Sequence, residues 1–179
     1  MNPVLRFSDL ATRHPGVSAG IGLSYEEAAS VCLERHHTSP ATFSIRDNAT
    51  SSEADSSWMS PNDALKSAWA NEIDTTEAGG YAVALAAVEL TRGLVAIRRA
   101  ETRTGADYYL DSVGAAPDDL ETAIRLEVSG SAAATPAALE TRLKQKLAQT
   151  EAGESNLPAM AVVVGFEPLL VLSADMSTS

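Results

Sequence analysis

The sequence predicts an α/β fold: a mixed central sheet flanked by helices, with a small helical extension on its N-terminal side. Three observations carry this prediction. From residue 76 onward, windows of helical and strand character follow in the order helix, three strands, helix, strand, an order that lets helices cover a mixed sheet. The run PAMAVVVGF (158–166) is nearly all apolar, the mark of a strand buried on both faces. Helix punctuation falls at the right places, with Gly93 and Gly153 behind two helical windows and Pro136 at the head of the second.

Residues 1–20 read as irregular. In SYEEAASVCLERHH (24–37), Ser24 and Glu27 have capping-box spacing, and Ala28, Val31 and Cys32 supply an apolar stripe, so a short helix is expected. ATFSIRDN (41–48) reads as a strand. The stretch 48–63 is rich in Ser, Asn, Asp and Pro and reads as a linker, with a short helix near 62–71. TEAGGYAVALAAVELTRG predicts a helix from about 76 to 92, its first turn weakened by Gly79 and Gly80. LVAIRRAE (94–101) and ADYYLDS (106–112) form a hairpin across RTG, and ETAIRLEVSG (121–130) is a third strand. Thr135 caps a helix over 135–153, and EPLLVLSA (167–174) reads as an edge strand. The expected organisation is an N-terminal extension over 1–75, with short helices and the linker, and a core over 76–179.

Composition narrows the function classes. The 179 residues are 45% hydrophobic, enough for one full domain. No apolar run reaches the roughly 18 residues of a membrane helix, and the first residues lack a basic start followed by an apolar core, so the cytoplasm is the expected location. A single cysteine, Cys32, excludes an internal disulfide framework. Net charge is −11, with 5 Lys+Arg against 10 Asp+Glu up to residue 75 and 8 against 14 after it. A chain so charged does not have the footprint of a protein that grips nucleic acid unaided. Cys32, His36 and His37 lack a four-ligand zinc pattern, and adjacent His residues on a helix diverge by about 100°.

Three carboxylates stand out: Glu77 in the first helix of the core, Asp107 at the start of the second strand, and Glu127 in the third, within RLEVSG. Hard cations such as Mg²⁺ are held by one or two carboxylates, waters and phosphate oxygens, and adjacent strands can bring two carboxylates to one ion. Each residue also has a plainer explanation. Strict alternation puts Arg125, Glu127 and Ser129 on the face opposite Leu126 and Val128, so Glu127 can be a solvent-facing residue paired with Arg125 or a neighbour. Asp107 can be a turn residue, and Glu77 can serve the helix dipole. Arg98, Arg99, Glu101 and Arg103 crowd the hairpin, either as a phosphate-binding patch or as a solvated face.

The order helix–strand–strand–strand–helix–strand, with Glu77 in the helix, GAD at Asp107 and LEV at Glu127, resembles the PD-(D/E)XK nuclease superfamily, whose members have a restriction-endonuclease-like αβββαβ core. The resemblance spans residues 76–170 and implies a Mg²⁺- or Mn²⁺-dependent DNA endonuclease, with Glu77, Asp107, Glu127 and the Val128 carbonyl as metal ligands. The family places Lys two residues after the strand Glu, where this chain has Ser129. Some members supply the cation from the following helix; here Lys146 lies nearer the sheet-facing side than Lys144, with Gln149 on its face. Lys146, or Ser129 through a water, would then position the nucleophile. The acidic surface implies DNA contact through a protein partner or homodimer, as in a restriction or defence-type assembly, without a membrane. Two alternatives remain: a catalytically degenerate module serving as a structural or regulatory subunit, and an acidic mimic of nucleic acid, whose carboxylates would spread over one face.

Overall fold

The computed structural model describes residues 1–176. They form a seven-stranded mixed sheet and four α-helices, α1 (Ala19–Glu34), α2 (Asp63–Ala68), α3 (Glu72–Arg92) and α4 (Pro136–Glu151). The strands are β1 (Ala41–Asp47), β2 (Thr50–Ser56), β3 (Leu94–Arg99), β4 (Tyr108–Ser112), β5 (Ile124–Ser131), β6 (Ala159–Gly165) and β7 (Leu170–Asp175). Their spatial order is β2-β1-β7-β6-β5-β4-β3. Neighbours run antiparallel except β1 with β7 and β5 with β6, the latter pair joined through α4. Among the described residues, no helix is long and apolar enough to cross a membrane.

Helices lie on both faces because alternation gives the central strands two apolar faces. Leu126, Val128, Met160 and Val162 join the core beneath α1 and α3, whereas Val163, Leu170 and Leu172 pack with Leu139 and Leu143 of α4. β6 is buried at every residue, as expected of a strand between two covered neighbours.

The ends of the elements differ from expectation in instructive ways. α1 begins at Ala19, capped by Ser18 Oγ, which accepts from Ile21 N–H. Ser24 lies inside this helix and donates to the Ile21 carbonyl, a local bond by which a hydroxyl is accommodated mid-helix. α3 begins at Glu72, with Asn71 Oδ1 accepting from Ile73 and Asp74. Glu77 is therefore in the second turn, and the dipole role falls to Glu72 and Asp74. The stretch 48–63 is not all linker. A two-residue turn at Asn48-Ala49, with Asn48 at φ 52°, pairs β2 with β1 from Asp47↔Thr50 to Ala41↔Ser56. Its polar sequence suits an edge strand. β7 is the converse: between β6 and β1, it is interior and not an edge. The segment before residue 76 thus contributes two strands to the one sheet, and α1 packs against α3.

The glycine pair in α3 is a packing device. A Cβ on Gly79 would lie 3.0 Å from the Ala29 backbone of α1, and one on Gly80 3.1 Å from Gly130 of β5. A Cβ on Gly130 would collide with the Thr76 carbonyl oxygen. The entropic cost of two helical glycines, about 1 kcal/mol each, is offset by backbone-to-backbone approach on both sides of α3. This contact sets Glu77 and Tyr81 beside the end of β5.

Candidate functional site

β4 pairs with β5 only at Tyr108↔Leu126, Tyr109↔Arg125 and Leu110↔Ile124, while β5 continues to Ser131 against β6. Beyond Leu126 the β4-side edge of β5 has no strand partner among the described residues. Asp107 stands in that opening. Its N–H donates to the Leu126 carbonyl at 2.7 Å and its Oδ2 accepts the Val128 N–H at 2.9 Å. Backbone groups of alternate residues point to the same edge, so the Val128 carbonyl faces this opening with its N–H. Asp107 Oδ1 accepts from Tyr81 Oη at 2.7 Å and Arg99 Nη2 at 3.4 Å. The Arg99 guanidinium also lies over the rings of Tyr81 and Tyr108, 4.8 and 4.7 Å from their centroids.

Glu127 points toward α4, on the face that alternation assigns it, and is not a surface residue: its side chain is 6% exposed. Nor does it pair with Arg125. That guanidinium, itself buried, donates to the carbonyls of Thr104, Thr150 and Leu157, and so clamps the end of α4 to the β3–β4 loop. Glu127 Oε1 instead accepts from Lys146 Nζ at 2.6 Å and Gln149 Nε2 at 3.1 Å. All of its hydrogen bonds with described residues end on Oε1. Because no buried side-chain oxygen or nitrogen among them lacks a partner, Oε2 is not wholly enclosed, and the Asp107 carboxyl lies close to that of Glu127. Burial pushes the Glu127 carboxyl above its ordinary pKa, Lys146 opposes this, and the charge of Asp107 adds to the rise.

A cavity of about 530 Å³ opens here, lined by Glu77, Asp107, Glu127, Val128, Ser129 and Lys146 among others. A second, of about 590 Å³, meets the first at Asp107 and Glu127 and runs along the β3–β4 loop past Arg99 and Arg103. The sequence-selected residues therefore line one cleft, though unequally. Glu77 is an exposed wall residue, and among the described residues no three His, Cys, Asp or Glu side chains converge on a single cation position. Lys144 is exposed. Of the hairpin arginines, Arg98 pairs with Glu101 at 2.8 Å and Asp118 at 3.5 Å. Cys32 is in the core, its thiol pushed up to about 12 by burial, and His37 Nε2 is taken by the carbonyls of Phe166 and Glu167.

Two members of the cleft escaped the sequence reading. Tyr81 lies four residues after Glu77, and Arg142 four before Lys146, so helical periodicity could have placed both on the site-facing sides. Ser129 Oγ accepts from Arg142 Nη1 at 3.3 Å.

Two carboxylates and one carbonyl are the kinds of donor from which Mg²⁺ is bound when it keeps several waters. No family model matches the chain, and neither a curated protein nor a solved structure matches it.

Proposed function

We propose that the cleft hydrolyses phosphodiester bonds with the help of Mg²⁺ or Mn²⁺, the substrate being DNA. The observation that supports this best is the convergence of Asp107 and Glu127 at the divergence of β4 and β5, with Lys146 on the same carboxylate. The element order α3-β3-β4-β5-α4-β6 agrees with the restriction-endonuclease-like core that the sequence resembles. Asp107, Glu127 through Oε2 and the Val128 carbonyl would hold the ion, which would supply charge neutralisation at the phosphate and an acidified water.

The chain's own residues do the positioning. Tyr81 and the Val128 N–H fix both oxygens of Asp107, so that carboxylate is ordered before substrate arrives. Lys146 uses two of its three ammonium donors on Glu127 and Gln149 and keeps one for a water or a phosphoryl oxygen. It thereby takes the place that Ser129 cannot fill. With −11 charges, the protein would reach DNA through a partner or as a homodimer, as a cytoplasmic subunit of a restriction or defence-type assembly.

A second reading has its own support. The tight Lys146–Glu127 pair and the serine at position 129 also suit a degenerate module that acts as a structural or regulatory subunit. Nicking of supercoiled plasmid in Mg²⁺ or Mn²⁺ separates the two. Hydrolysis predicts nicking by the wild type that Asp107→Ala and Glu127→Ala abolish; equal residual nicking in all three is the mark of a contaminating nuclease and refutes it, and none in any favours the module.

A further inference from the structure

Among the described residues no carboxylate answers Arg142, a cation in the cleft. It lies on α4, one turn before Lys146, partly buried and lining the first cavity. Its Nη1 donates to the Gly130 carbonyl at 2.8 Å and to Ser129 Oγ at 3.3 Å, both neutral acceptors. Among the described residues it enters no ion pair, whereas Lys146 beside it is paired with Glu127. Arg125 is also held by carbonyls alone, but it is 1% exposed and spends three of its donor atoms as a clamp. Arg142 spends one; Nε and Nη2 have no partner among the described residues and are not wholly buried, on a side chain that lines the cavity.

We infer that Arg142 is an anion-binding residue of this cleft that takes a phosphoryl group, and that Ser129 is the residue that positions it. A planar guanidinium with one edge fixed and another free can meet a phosphoryl group with two parallel N–H donors. The serine now has a physical role. A lysine at position 129 would set a second cation against the guanidinium, whereas a hydroxyl accepts its N–H and leaves the charge unspent. Arg142 and Lys146 are one turn apart, about 6 Å along the axis, so a phosphoryl group at Arg142 neighbours one at the carboxylates. The inference deepens the proposed function, resting on its reading of the cleft as a phosphate-ester site.

The test reads binding separately from cleavage. Anisotropy of a labelled single-stranded oligodeoxynucleotide is measured without divalent cations, with inorganic phosphate and dAMP as competitors, for the wild type, Arg142→Gln, Arg142→Lys, Ser129→Ala, Ser129→Thr and Lys144→Gln. Lys144→Gln makes the same change of charge on an exposed part of the same helix. Arg142→Gln is expected to weaken binding about tenfold, the loss of a charged hydrogen bond, and to lower the slope of log affinity on log salt by about 0.7. Arg142→Lys should restore part of the affinity and the full slope; Ser129→Ala should lie between wild type and Arg142→Gln, and Ser129→Thr near wild type. Competition by inorganic phosphate identifies a free-phosphate site, and competition by neither small anion a polynucleotide one; either supports the assignment. Equal losses in Arg142→Gln and Lys144→Gln, an unchanged Arg142→Gln with native thermal unfolding, or no binding of any probe by the wild type overturns it. Arg142-dependent binding without Mg²⁺-dependent nicking sinks the hydrolase and keeps the subsite. Nicking with KM unchanged in Arg142→Gln does the reverse.

Discussion

Replacing Lys146 by methionine keeps the bulk of the side chain on α4 and removes only the charge that meets Glu127. The carboxylate it leaves is 6% exposed and formerly had Nζ at 2.6 Å; Gln149 Nε2, at 3.1 Å, remains as a neutral donor. Losing one partner of a buried pair costs about 3–5 kcal/mol. Lys146 is itself 26% exposed, and the glutamine bond survives, so about 2–3 kcal/mol is expected at pH 8. Glu127 already has a carboxyl pKa raised above its ordinary 4.5 by burial. The folded state thus binds more proton than the unfolded one between 4.5 and the folded value, and this contribution to stability is full below 4.5 and lost as pH rises. Without Lys146 the folded value rises further, so the window of loss extends upward. Urea unfolding should therefore show Lys146→Met close to wild type near pH 4.5 and about 1–1.5 M lower in midpoint at pH 8, for a slope of about 2 kcal/mol/M. A further Glu127→Gln replacement in Lys146→Met should recover most of the deficit at pH 8. A deficit of equal size at both pH values, or none at either, would refute the reasoning.

Other parts of the structure make separate predictions. His14 is fully buried, its Nδ1 accepting the Ala96 N–H at 3.0 Å and its Nε2 facing Glu89 at 3.2 Å, with Arg13 on the same carboxylate. Burial lowers its pKa from 6.5 against the pull of Glu89. Its contribution is then whole above pH 6.5 and is lost as pH falls toward the folded value, so urea midpoints of wild type should drop between pH 7 and 5 more than those of His14→Gln. Gly130→Ala drives a methyl into the Thr76 carbonyl and should cost about 3 kcal/mol or more, whereas Gly80→Ala, whose nearest contacts are at 3.1 Å, should cost less. Thermal melts of the two variants decide the order.

Much of the second half was legible because its signals are local. Thr135-Pro136 and Gly93 end helices by capping chemistry alone, and the apolar run of β6 states its own burial. β2 and β7 were misread because their status depends on partners distant in sequence. Ser-rich, polar residues 50–56 pass for linker until β1 pairs with them, and β7 passes for an edge until β1 arrives on its far side. The carboxylates could be chosen from order and spacing, and strand alternation placed Glu127 opposite Leu126 and Val128, on the face that the fold covers with α4. What sequence could not supply was the competition for partners: Arg125 turns to backbone carbonyls, Lys146 reaches Glu127, and Arg142 takes Ser129. Those choices are settled by tertiary distances of a few ångström, below the resolution of periodicity.

The central claim is that Asp107 and Glu127 form a cation-binding, phosphate-hydrolysing pair where β4 leaves β5. Calorimetric titration with Mn²⁺ addresses it without substrate or partner. The account predicts one site per chain, weakened at least tenfold in Asp107→Asn and in Glu127→Gln and untouched in Asp118→Asn, whose carboxylate is exposed in the β4–β5 loop and lines neither cavity of the cleft. No heat of binding in the wild type, or equal binding in all four proteins, would contradict it.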